Sequence, residues 1–221
     1  RLADMIRGLK LAAAGLMLVA FVSLGVLDST AVAARADELS EEQRGAIEKI
    51  TGYFNGMRTL QGEFIQVGPK GHISTGVFHI AKPGRMRFQY APPNPFVVVA
   101  DGTWVTIKNN AKDTADQYPL SATPLRLVLA EEVDLLSEAK ILSVEQVDGM
   151  TTVTLEDKDQ LVPGHLVLIF DDEREELQQW IIVDGQGRRT TISLTDMVAG
   201  IDPDPGLFQL ELPTRRTGTN R

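Results

Sequence analysis

Three histidines, His72, His79 and His165, are the first places to look for proton transfer or metal ligation. No two of them stand four residues apart, and none sits in an H-E-x-x-H pattern, so no metal is expected. His79 alternates with Phe78 and Ile80, which predicts a solvated or edge histidine on a strand. Gly185-Gln186-Gly187-Arg188-Arg189 is glycine-rich, but it opens no helix. It therefore lacks the helix N-terminus that binds phosphate, and a hairpin turn is expected. There is no G-x-S-x-G and no Walker sequence. The 30 acidic residues offer many carboxylates, yet no spacing singles out a pair for glycoside chemistry. Runs such as Asp171-Asp172-Glu173 read as turn and edge charges. Catalysis is not expected, and no cofactor is implied.

Composition narrows the classes further. At 221 residues the chain fits one domain with an appendage. Its formal charge of −8 argues against nucleic acid as a partner. With no cysteine there is no disulfide, thiolate nucleophile or thiolate metal site. Arg1, Arg7 and Lys10 precede an uncharged run from Leu11 to Leu27, followed by Ala31-Val32-Ala33 and Ala34-Arg35-Ala36. This is the pattern of a cleaved secretory signal over residues 1–36, with a domain over 37–213 and a disordered tail over 214–221. Residues 1–36 carry four basic and two acidic side chains, so their removal takes −8 to −10.

The elements that would position any site follow from periodicity. Ser40 to Thr59 reads as a helix, with Ser40 and Gln43 as a capping box and Ile47, Ile50, Phe54 and Met57 on one face. Gly45, Gly52 and Gly56 weaken it by about 1 kcal/mol each relative to Ala. Strands follow at Gln61–Val67, His72–Ala81, Arg85–Ala91, Phe96–Ala100, Trp104–Asn109 and Thr114–Tyr118. Thr123 as N-cap and Pro124 at the first position open a short apolar helix, and a second is expected over Val133–Ala139. Strands return at Ile141–Val147, Thr151–Asp157, His165–Asp171, Leu177–Val183 and Thr190–Val198, with a last short one reaching Leu212. About eleven strands with hairpin connections predict a mainly β protein, an open, incomplete antiparallel barrel.

Several strands are apolar on both faces. Leu166, Leu168 and Phe170 oppose Val167 and Ile169, and Leu177, Ile181 and Val183 oppose Trp180 and Ile182. Either helices and loops cover both faces, or one face encloses an apolar cavity suited to acyl chains.

The stretch Gly76 to Gly102 adds a resemblance that favours the cavity. Phe64-Ile65-Gln66, then Gly76-Val77-Phe78-His79-Ile80-Ala81, then Lys82-Pro83-Gly84-Arg85-Met86-Arg87-Phe88, the Pro92-Pro93 break and Val97-Val98-Val99-Ala100-Asp101-Gly102 resemble the core pattern of the periplasmic lipoprotein carrier family, the LolA-like chaperones. The Thr123-Pro124 opening and the Asp204-Pro205-Gly206-Leu207-Phe208 turn fit as well. The resemblance implies helices forming a lid over an apolar cavity. It implies a soluble, monomeric carrier that takes acylated lipoproteins from an inner-membrane ABC-type release complex to an outer-membrane acceptor. On this reading Phe64, Phe78, Ile80, Met86, Phe88, Tyr90 and Val98 line the cavity, and Phe54, Met57, Leu125, Val128 and Leu129 close over it. The family places arginine before the proline, touching the lid backbone; here Lys82 stands there, and an ammonium lacks the guanidinium fork. A weaker lid contact is therefore expected. Two further classes stay open: an envelope lipid-, glycolipid- or lipoprotein-sensing module of the same fold, and a secreted hydrolase.

Overall fold

The computed structural model describes residues 39–158 and 163–212. The expected signal segment and tail lie outside these residues. Helix α1 (Glu41–Gly56) starts at the predicted capping box: the Ser40 hydroxyl accepts from Gln43 N at 3.1 Å, and the Gln43 side chain accepts from Ser40 N at 3.0 Å. It ends three residues earlier than the apolar spacing suggests. Met57 is already extended, and Thr59 begins the first strand.

Six strands then run as a meander: β1 (Thr59–Val67), β2 (Ile73–Ala81), β3 (Arg85–Tyr90), β4 (Phe96–Asp101), β5 (Trp104–Asn109) and β6 (Thr114–Pro119). A 3-10 turn (Leu120–Ala122) and two one-turn helices follow, α2 (Arg126–Leu129) and α3 (Leu135–Glu138). Thr123 does not cap α2; its hydroxyl donates to Leu120 O at 2.9 Å instead. The second meander is β7 (Ala139–Val147), β8 (Met150–Asp157), β9 (Gly164–Asp171), β10 (Glu176–Asp184) and β11 (Arg189–Ala199). A 3-10 turn (Pro205–Phe208) follows, and the expected final strand does not form over residues 209–212.

All eleven strands join one antiparallel sheet in the order β6-β5-β4-β3-β2-β1-β11-β10-β9-β8-β7. Only the β1–β11 pairing is non-sequential; it joins the two meanders, and β6 and β7 are the free edges. The sheet must curl. Phe88 on β3 and Trp180 on β10 are four strand spacings apart, about 19 Å in a flat sheet. Their ring centroids are 5.8 Å apart.

The main core fills the inside of that curl, with α1, α2 and α3 packed into it through Ile47, Ile50, Phe54, Leu127, Val128, Leu129 and Leu135. Two smaller clusters lie apart from it. One joins Ala81, Val97 and Val99 to Phe208 of the C-terminal turn; the other groups Val167, Ile181 and Val183. On β9 and β10 one face thus joins the main core, and the other carries a small buried cluster of its own. A bulge between Leu177 and Gln179 breaks the alternation, so Leu177 faces the main core with Trp180 instead of opposing it.

Candidate functional site

The inner face of β1–β3 is built from rings. Phe64 and Phe88 meet at 4.7 Å, Phe78 stacks on Phe88 at 5.6 Å, and Phe64 meets Tyr90 edge-on at 5.1 Å. Gly76 pairs with Phe64 on one side and Tyr90 on the other. A side chain there would stand 2.7 Å from the Phe64 ring and 2.1 Å from Gln89 O, so only glycine lets the two rings touch across β2.

All twelve residues expected to form the cavity and its cover sit in this one cluster. Phe54, Met57, Phe64, Phe78, Ile80, Met86, Phe88, Val128 and Leu129 are buried; Tyr90, Val98 and Leu125 are half-buried against them. Side chains of the helices and of the sheet pack together in this cluster. Open hollows of about 380 and 390 Å³ lie elsewhere, beside Tyr90 and Pro92 and beside Gly84 and Leu129.

Polar contacts fasten the helices to the sheet and to one another. Lys82, 7% exposed, donates from Nζ to Phe54 O at 2.7 Å. α1 has no basic residue in its last turn, where its carbonyls lack helical partners. Lys82 therefore supplies, from the turn between β2 and β3, the cation that a helix C-terminus favours. The lid-backbone contact that the resemblance gives to arginine is made here by a single ammonium. Burial, with Arg58 nearby, holds that ammonium below the ordinary lysine value. Gly84, at φ +72 in the adjacent turn, donates to Leu129 O at 2.8 Å and so ties α2 to the same corner.

Sequence reasoning missed two further fastenings. Asn55 on α1 clasps the Val133 backbone: its amide donates to Val133 O at 2.9 Å and its carbonyl accepts from Val133 N at 2.7 Å. An asparagine deep in a helix pattern was the one available signal. Arg126 of α2 pairs with buried Asp157 at the end of β8 and with Glu138 of α3 at 3.5 Å. Nothing in their separation along the chain announces this.

Polar groups inside the curl are sparse. Tyr90 donates to the Gln66 side chain at 2.6 Å, and burial pushes its phenol up. The Trp180 indole N–H is buried with no partner. On the outer face, His79 is half-buried with its Nδ1 unpartnered, not the solvated residue its alternation suggests. Burial, and then the Arg87 charge across the strand pair, push its pKa down. The Gly185–Arg188 loop is a hairpin turn, held by the Asp184 carboxylate accepting from Gln186 N and Arg188 N. No group of three metal-ligating side chains occurs among the described residues.

The profile of the family described as outer membrane lipoprotein carrier protein LolA matches residues 55–211. An outer-membrane lipoprotein carrier protein from Chromohalobacter salexigens is 28% identical over 185 residues, covering 79% of this chain and 86% of its own. One from Methylococcus capsulatus is 27% identical over 174 residues, covering 75% and 83%. Among solved structures, a LolA superfamily protein from Nitrosomonas europaea aligns over 73% of this chain and 97% of its own. Its TM-score is 0.41 at 9% identity.

Proposed function

The chain belongs to the outer-membrane lipoprotein carrier family, and from that premise we propose that it is a soluble periplasmic chaperone for acylated lipoproteins. Exported by the signal segment over residues 1–36, it takes its cargo from an inner-membrane ABC-type release complex and delivers it to an outer-membrane acceptor. Acyl chains displace the helices and lie against the ring-lined face.

One observation carries this reading. The inner face is predominantly aliphatic and aromatic, and what covers it is three helices that could not stand alone. α1 contains three glycines, and α2 and α3 are one turn each. The energetics fit an exchange. Burying a 16-carbon chain is worth about 12 kcal/mol at about 0.8 kcal/mol per methylene. Ile47, Ile50 and Phe54 of α1 alone contribute roughly 5–9 kcal/mol on the same scale. The cover therefore offsets much of the cargo's affinity, so cargo can be both held and released.

The test is direct. The purified protein is mixed with a triacylated lipopeptide in detergent-free buffer and examined by native mass spectrometry. A complex of one protein and one lipopeptide is expected, with none for the unacylated peptide. Lipopeptide left entirely in aggregates would refute the carrier reading.

A further inference from the structure

Trp180 is 4% exposed, and its indole N–H has no hydrogen-bond partner. It projects into the main core from the middle of β10, between Leu168 and Ile192 on the neighbouring strands and against the Phe88 ring. Stability does not explain it. A buried donor without an acceptor costs free energy, and phenylalanine would fill most of the same space without that cost. The donor is buried within the cluster that, on the carrier reading, the cargo packs against. An acylated ligand has one polar feature close to its chains, the acyl carbonyl, which is an acceptor and needs a donor once water is excluded.

We propose that the Trp180 indole N–H is the hydrogen-bond donor for an acyl carbonyl of the bound lipid. The inference rests on the carrier reading and refines it: the site recognises acyl groups, not hydrocarbon alone. Its position also orients the ligand. Trp180 pairs with Ile192, which pairs with Gln66, the partner of Tyr90. These groups lie side by side on adjacent strands of the inner face. Lys82 and the Gly84–Leu129 bond lie at the opposite ends of β2 and β3. The carbonyls sit at the Gln66–Tyr90 end, and the chains run from there toward the Lys82 corner beneath α1.

The experiment compares two probes, dioctanoylglycerol and its dioctyl ether analogue, which lacks the carbonyls. Binding is measured for the wild type and for Trp180→Phe. The indole signals of the uniformly ¹⁵N-labelled wild type, which has only Trp104 and Trp180, are followed by NMR. Expected is roughly tenfold tighter binding of the ester by the wild type. That preference disappears in Trp180→Phe. The Trp180 indole proton moves downfield with the ester and not with the ether. Equal binding of both probes by the wild type, or an indole signal that responds alike to both, would overturn this inference and leave the carrier reading intact. Binding of neither probe would overturn both. The NMR measurement needs only the wild type, so it decides the question even if Trp180→Phe folds poorly.

Discussion

Replacing Lys82 by methionine isolates the lid fastening. Methionine keeps an unbranched apolar stem, one atom shorter, but removes the ammonium that meets Phe54 O at 2.7 Å. A hydrogen bond from a charged donor is worth about 1.5–3 kcal/mol. Part of that is returned because the ammonium no longer needs desolvation, the cause of its lowered pKa. A net loss of about 1.5 kcal/mol from the closed form follows, roughly a tenfold shift toward opening. If cargo binds only the open form, apparent affinity scales with the fraction open and rises by the same factor. The assay is fluorescence titration with a dansyl-labelled 11-carbon fatty acid, paired with a thermal scan. Lys82→Met is expected to bind the probe about tenfold tighter while melting roughly 3–6 °C lower. Lys82→Arg, which restores a donor, should return within about twofold of the wild type. Tighter binding coupled to lower stability is the signature of a cover that competes with cargo. Unchanged or weaker binding by Lys82→Met would refute the competition outright.

Three more outcomes follow from the same structure. A side chain at Gly45 or Gly52 would meet nothing within 4 Å, so Gly45→Ala with Gly52→Ala should add about 2 kcal/mol of helix stability. Its thermal midpoint should rise by roughly 4–8 °C in calorimetry. Gly76→Ala forces a methyl group to 2.1 Å from Gln89 O, and a loss of at least about 2 kcal/mol is expected in urea unfolding. His79 is held neutral by burial and by Arg87, so its folded pKa lies below its unfolded value near 6.5. The unfolded chain takes up a proton first as pH falls. The stability that neutral His79 contributes is present above about 6.5 and is lost as pH falls through the lowered folded value. Urea curves at pH 7.5 and 5.5 should differ less in His79→Gln than in the wild type.

Much of the fold was legible because the signals were local. Alternation located β2, β3 and β4, the Pro-Gly and Asp-Gly pairs located their turns, and the capping box fixed the start of α1. What escaped depends on partners far apart in sequence. The bulge that turns Leu177 inward leaves no mark on composition. The pairing of Asn55 with Val133 spans 78 residues, and an asparagine inside a helical pattern hints at a contact without naming its partner. The C-terminal segment looked like a strand, since its apolar residues suit one. They instead serve a cluster outside the curl, where Phe208 covers Val97 and Val99. The ring-lined face was readable from the alternation of Phe78, Ile80, Met86 and Phe88. That the helices fill it was not, because a lid and a core wall carry the same side chains.

The order of the sheet has a last consequence. Residues 120–138, which contain α2 and α3, run from one free edge of the sheet, β6, to the other, β7. They span the curl as a string spans a bow, fixed at both tips. On the carrier reading, cargo that pushes this segment aside cannot dilute it away. Tethering keeps it near the face it left at an effective concentration of order millimolar or above, whatever the protein concentration. The competitor for the site is thus built into the chain and always present. On that reading release would need no fuel from this chain: an acceptor that loosened the acyl chains, even briefly, would find the string ready to close behind them.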